Sequence, residues 1–215
     1  MNCMEKYFNL KQAFAKNYIG FVSLHAKEDV IPYLREQMPE GSTVGTGGSV
    51  TLDECGVREW LRSGAYTYYD RDRPGADVRE EYLNSFRADF YLCSAQAITE
   101  HGEAYLVDGR GNRVAAVTYG PEKVFLICGK NKLVKNLREA VIRTETIAAP
   151  MNVNRLHMKT YCSEKGTCAK TDVSDDDLMC GFRCGNSICS YNMAVTRQRQ
   201  EWRITVVLVD EELGY

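Results

Sequence analysis

Two apolar rhythms alternate along this chain. In one, apolar side chains recur every three or four residues: Tyr7, Leu10, Phe14 and Tyr18, then Ile31, Leu34 and Met38, then Leu133, Leu137, Ala140, Val141, Thr144 and Ala148. That spacing keeps one helical face apolar, so each stretch predicts a helix lying on a core. The last stripe carries Lys132, Lys135, Arg138, Glu139 and Arg143 on its polar side, and Pro150 predicts its end. In the other rhythm the run is apolar on both faces: Phe21-Val22, Phe90–Cys93, Val124–Cys128 and Ile204–Val209. Such runs suit strands covered on both sides, as in parallel sheets. Strands alternating with helices predict an α/β fold, a mostly parallel sheet with helices on both faces.

The rhythm breaks between about residues 161 and 190. There the chain gains five cysteines and the acids Asp172, Asp175, Asp176 and Asp177. About thirty residues cannot bury a core unaided, so this stretch reads as an irregular insertion before the last strand, and residues 1–215 as one domain.

Composition narrows the class. The 215 residues carry 27 basic and 29 acidic side chains, a net charge of −2, which disfavours nucleic-acid binding by phosphate neutralisation. No run approaches the eighteen or so apolar residues of a membrane helix, and the first residues lack the apolar core of a signal peptide. Nine cysteines without such a signal predict reduced thiols and a cytoplasmic location.

Two glycine segments carry candidate chemistry. Thr43-Val44-Gly45-Thr46-Gly47-Gly48-Ser49-Val50-Thr51 runs from a short predicted strand into a helix bearing Leu52, Cys55 and Trp60. Gly45, Gly47 and Gly48 let backbone amides approach a ligand, and Ser49 can cap the helix or donate to an anion. The loop has neither the Walker pattern nor the spaced dinucleotide fingerprint, and a tight turn without ligand is the alternative. Glu54, one turn into the helix, is a candidate general base or simply an acid stabilised at a helix start. The second segment, Asp108-Gly109-Arg110-Gly111-Asn112-Arg113, places two arginines and an amide where they can clamp a carboxylate or phosphate, with Ser94 nearby. Its plainer reading is a turn with solvated arginines.

Cys162, Cys168, Cys180, Cys184 and Cys189 cluster near the C-terminus. Thiolates at short spacing suit zinc or an iron–sulfur cluster, each of which takes four ligands, though no ferredoxin or zinc-ribbon spacing is present. His157 is a further candidate ligand. A redox-sensitive lid without metal fits the same spacing. Cys3, Cys55, Cys93 and Cys128 fall among apolar residues and read as small buried hydrophobes.

Taken in order, Val44–Leu52, Ser94–Thr99, Asp108–Ala115, Tyr119-Gly120-Pro121, Val124–Lys132, Ala148–Asn152 and Ile204–Gly214 resemble the lactate-utilization (LUD) domain, over nearly the whole chain. The resemblance implies a fold similar to the ribose-5-phosphate isomerase, glucosamine-phosphate deaminase and coenzyme A transferase group, in which the glycine loop cradles an anion. It implies a role as subunit or accessory of an iron–sulfur-dependent system oxidising L-lactate to pyruvate, with iron–sulfur electron-transfer proteins as partners. It also points to Cys162, Cys168, Cys184 and Cys189 as the metal-binding set, with the stretch Ala169–Arg183 as a departure from the family. Two other readings remain open: a stand-alone enzyme on a phosphorylated sugar or similar anion, with Glu54 as proton shuttle, and a metal- or redox-responsive interaction module.

Overall fold

The computed structural model describes residues 7–172 and 184–215. Its frame is a six-stranded, wholly parallel sheet built from β1 (Gly20–Leu24), β2 (Thr43–Thr46), β3 (Thr67–Tyr69), β4 (Phe90–Cys93), β7 (Lys123–Gly129) and β10 (Ile204–Val209). Their order across the sheet is β1-β10-β7-β4-β2-β3. All four apolar runs of the sequence become strands. Side chains alternate between faces along each strand, and both faces are covered, which is why the runs are continuous rather than alternating.

The two faces have separate cores. Val124, Leu126 and Cys128 of β7 pack with Leu10 and Phe14 of α1 (Phe8–Lys16) and with Ala116 and Val117 of α6 (Asn112–Thr118). Phe125 and Ile127, one residue out of step, pack on the other side with Val30 and Leu34 of α2 (Val30–Gln37). Leu52 of α3 (Val50–Glu54) and Leu61 of α4 (Val57–Leu61) complete that side. The predicted helix after the glycine loop is thus two short helices, because Gly56 adopts φ +67° between them. A further helix, α5 (Val78–Ser85), is capped by Asp77 and packs against β2 and β3.

A second sheet of four strands lies over the first core: β8 (Leu133–Val134), β5 (Ala97–Thr99), β6 (Ala104–Asp108) and β9 (Tyr191–Val195), in the order β8-β5-β6-β9. Only the β5–β8 pair is parallel; β6 runs antiparallel to both β5 and β9. Ala97, Tyr105 and Val107 on its outer face pack against Ala140 and Val141 of α7 (Leu137–Arg143) and Ala149 of α8 (Ala149–Arg155).

The stripe from Leu133 to Ala148 departs from its expectation. Leu133 lies in β8, and α7 begins only after Asn136 caps it through Glu139 N–H. The helix then passes through a π-turn, Thr144–Ala148, straight into α8, with Pro150 in the first turn. Proline lacks an N–H and its ring crowds the carbonyl four residues back; widening the helix by one residue there relieves both, so Pro150 bends the register instead of ending the helix. Cys55, Cys93 and Cys128 are buried as expected, and burial pushes the Cys55 and Cys93 thiols up to about 12. Cys3, Cys180 and Asp175–Asp177 lie outside the described residues. No helix among the described residues is long and apolar enough to cross a membrane.

Arg203 shows how the layers are tied. Its buried guanidinium donates to Ala116 O and Val117 O at the C-terminal end of α6 and to Pro121 O in the loop beyond, from the residue before β10. Replacing Arg203 by Met leaves three buried acceptors unpaired and is expected to cost about 2–4 kcal/mol, read as a lower urea midpoint at unchanged m-value. An unchanged midpoint contradicts this account of the tie.

Candidate functional site

Parallel strands deliver their following loops to one end of the sheet. The chain leaves β2 toward β3 on one side, and leaves β4 toward β7 on the other, so the strand order reverses between β2 and β4. Such a switch point opens a crevice at the carboxyl ends of the strands. A cavity of about 720 Å³ lies there, lined by Gly48 and Ser49 after β2, Ser94 after β4, Lys132 after β7, and Arg71 after β3.

The glycine loop splits into packing and lining residues. A Cβ on Gly45 would lie 2.6 Å from Ser85 Cβ, and one on Gly47 would lie 2.7 Å from Cys93 Cβ. These two glycines let α5 and β4 approach β2 and do not line the cavity. Gly47 N–H donates to Leu92 O, whereas the N–H groups of Gly48 and Ser49 have no partner among the described residues. Ser49 Oγ accepts from Leu52 N–H and caps α3. Gly48 and Ser49, which line the crevice, thus carry the two loop amides without a partner among the described residues.

The second glycine segment also divides. Arg113 is almost fully buried and its guanidinium is fully engaged, by Asp108, Ser94 O, Gln96 Oε1 and Val107 O. Asp108 uses its other oxygen to accept from Val114 N–H at the start of α6. These two predicted ligand residues form a buried brace of the cavity wall. Arg110 and Asn112 line the cavity, and their side chains make no hydrogen bond among the described residues.

Arg71 and Arg58, missed at the level of sequence, complete the wall together with Lys132 after β7. Arg71 donates to Thr46 O at 2.6 Å and lies over the Tyr82 ring. Arg58 donates to Gly47 O and pairs with Asp53 and Asp72, while its buried Nε has no partner among the described residues. Both arginines thus hold carbonyls of the loop, Gly47 O and Thr46 O. Lys132 is 3% exposed and donates to Thr51 Oγ1 and Ser94 Oγ, both at 2.9 Å. Burial pushes its ammonium down to about 8. The wall carries Arg58, Arg71, Arg110, Arg113, Lys132 and Arg155 against the acids Asp72 and Asp108, a cationic excess that favours an anionic occupant. Glu54 lies outside this wall: its exposed carboxylate accepts from Gly214 N–H at 2.6 Å and latches the C-terminal segment across α3.

The four predicted metal ligands converge. Cys162 in α9 (Tyr161–Lys165), Cys168, Cys184 and Cys189 all line one enclosed cavity of about 10 Å³, together with Thr160 and Glu145. A capping box at Thr160 sets α9, and Gly166 in the left-handed region ends it, which turns Cys168 back toward Cys162. Burial, with the neighbouring sulfurs, pushes the Cys189 thiol up to about 12. Burial likewise raises Glu145, against the opposing Lys170 ammonium 3.2 Å away, and Oε1 of Glu145 lacks an aligned hydrogen bond. His157 is exposed and does not line this cavity. The donors suit a thiophilic ion or an iron–sulfur cluster, yet no three His, Cys, Asp or Glu groups among the described residues are drawn close enough to hold an ion.

The two cavities share a wall. Ala149, Ser187, Ile188 and Cys189 line both, and the π-turn supplies Glu145 to the thiol side and Thr144 and Ala148 to the cationic side.

Fold and site together define an α/β protein with a parallel main sheet and a crevice lined by an excess of cationic side chains, next to a thiol-lined cavity. Residues 9–209 match the LUD domain family, and the chain belongs to it. Among solved structures it resembles a DUF162 family protein from Deinococcus radiodurans, at 12% identity and a TM-score of 0.50, over 97% of this chain and 98% of that one. No curated protein matches in sequence. The parallel α/β fold expected from the apolar runs is present.

The division of the glycine loop is testable by alanine. Gly45→Ala is expected to destabilise by about 1–3 kcal/mol, because Ser85 Cβ is fixed by its backbone. Gly48→Ala meets only the end of Arg71 at 3.3 Å, which can shift, so its chemical-denaturation midpoint should stay close to wild type. Equal effects at both positions contradict the division.

Proposed function

We propose that this LUD-domain protein binds a small 2-hydroxy or 2-oxo carboxylate in the cationic crevice, and that Cys162, Cys168, Cys184 and Cys189 hold an iron–sulfur cluster. In this reading the chain works as a subunit or accessory in the oxidation of L-lactate to pyruvate and passes electrons to iron–sulfur partner proteins. The observation that carries it is the shared wall, since a redox centre and an oxidisable anion are useful to one another only at short range. In this reading Arg71, Arg110 and the Gly48 and Ser49 amides, which line the crevice, take the carboxylate. When bound, the cluster supplies one-electron storage, and the apolar side chains Ala149, Val153 and Ile188 around the thiols keep it dry.

A second reading is favoured by the size of the crevice. The crevice, at about 720 Å³, has the size of pockets for drug-sized ligands, so a phosphorylated sugar also fits. Glu54, proposed as proton shuttle for that chemistry, would have to leave Gly214 N–H to reach it.

Anaerobic reconstitution with iron and sulfide tests the first reading. The wild-type protein should turn brown and keep its iron through desalting, while Cys168→Ser and Cys189→Ser should not. L-lactate and pyruvate should raise Tm, by about 2.7 kcal/mol of added stability at a hundred times Kd, and Arg71→Met should abolish the rise. A colourless, iron-free protein unmoved by either carboxylate overturns it. A rise with phosphate esters alone establishes the second reading.

A further inference from the structure

Lys132 is a buried amine in the lining of the crevice, and its hydrogen-bond partners are two hydroxyls rather than a carboxylate. A neutral lysine amine has two N–H groups and one lone pair. Both N–H groups have acceptors ready: Thr51 Oγ1, whose own proton goes to Leu213 O, and Ser94 Oγ, whose own proton goes to Ala95 O. The hydroxyls therefore accept from Nζ, and the lone pair is left without a donor from the protein. On its other sides Lys132 meets like charge or none. Arg113 from α6 and Arg143 from α7 are the cations near it, and both disfavour a second positive charge. Glu54 of α3 and the Cys128 thiol of β7 act in the opposite sense, and neither hydrogen-bonds to it. Gly214 packs near it, where a Cβ would lie 3.4 Å from Nζ, while Lys132 itself lines the crevice beside Ser94.

We propose that Lys132 is a nucleophilic amine that condenses with the carbonyl carbon of a 2-oxo acid held in the crevice. The inference rests on the carboxylate reading of that crevice and deepens it by naming the carbonyl compound and the atom that engages it. The Nζ lone pair attacks the carbonyl carbon, and the C=O π pair becomes a hydroxyl after taking a proton. That hydroxyl, protonated, leaves as water while nitrogen loses its remaining extra proton and forms C=N. The net reaction consumes one amine, one carbonyl and one proton and yields an iminium and water, so no oxidant is needed. The hydroxyls of Ser94 and Thr51, in contact with Nζ, are placed to relay the protons. Burial and flanking cations are the two devices by which proteins raise the share of free amine at such a lysine.

The experiment is reductive trapping on the full chain with pyruvate and cyanoborohydride, followed by peptide mapping, with the pyruvate effect on Tm measured on the same preparation. The adduct is expected on Lys132 at a level at least about tenfold above any other lysine, since near neutral pH a lysine titrating at about 8 holds on the order of a hundredfold more free amine than an ordinary one. Below that pH the amine is protonated and labelling should fall; above it labelling should level off. Ser94→Ala should slow labelling while Lys132→Arg removes the site. The wild-type map decides the matter even where a variant fails to fold. Labelling spread evenly over the lysines, or absent from Lys132, overturns the proposal. If pyruvate nevertheless raises Tm, the carboxylate site stands without a covalent amine; if it does not, both readings fall together.

Discussion

The site depends on one buried fork. Arg113 reaches from α6 to the loop after β4, to Gln96 and to the end of β6, and its charge is met at close range by Asp108. A guanidinium suits this position because its donors lie in a rigid plane and stay charged when desolvated. Those bonds fix the second sheet against the carboxyl ends of the first, at the place where the strand order reverses. Without them the crevice would have no far wall.

That fork also sets the electrostatics of what remains. Asp108 is spent on Arg113 and on Val114 N–H, so it does not offset the other cations of the wall. Arg58 and Arg71 are anchored to carbonyls of the glycine loop, which orders them before any ligand arrives. An anion entering the crevice meets charges already positioned, and the entropy of ordering them is already met by folding. On the opposite side of Ala149 and Ile188 the thiol pocket is apolar and closed. The two environments are separated by single side chains, and the π-turn forced by Pro150 is what lets one helix serve both.

How much of this was legible in the sequence follows from burial. The strands of the parallel sheet stood out because both faces are covered, and only β3, three residues long, was missed together with Arg71 just beyond it. The second sheet was not legible: β5 has three residues, β8 two, and β9 is an exposed edge, so none carries a full period. Cys162, Cys168, Cys184 and Cys189 line one small cavity, but no three of them stand close enough together to hold an ion, and only the family resemblance, not their spacing, named them as a set. The roles of Gly45, Gly47, Asp108 and Arg113 were not separable from ligand binding, since close approach and buried bracing use the same residue types as anion cradles. Lys132 stood in plain view at the end of a strand, but nothing local tells a buried lysine from a solvated one; that is decided by Thr51 and Ser94, distant in sequence.

The central claim is that the carboxyl ends of β2, β4 and β7 seat a carboxylate. A crystal structure of the protein grown with oxalate or pyruvate tests it most directly. The account predicts density for the carboxylate within hydrogen-bond distance of the Gly48 or Ser49 amides and of Arg71 or Arg110. An ordered crevice holding only water, with the ligand bound elsewhere or not at all, would contradict it.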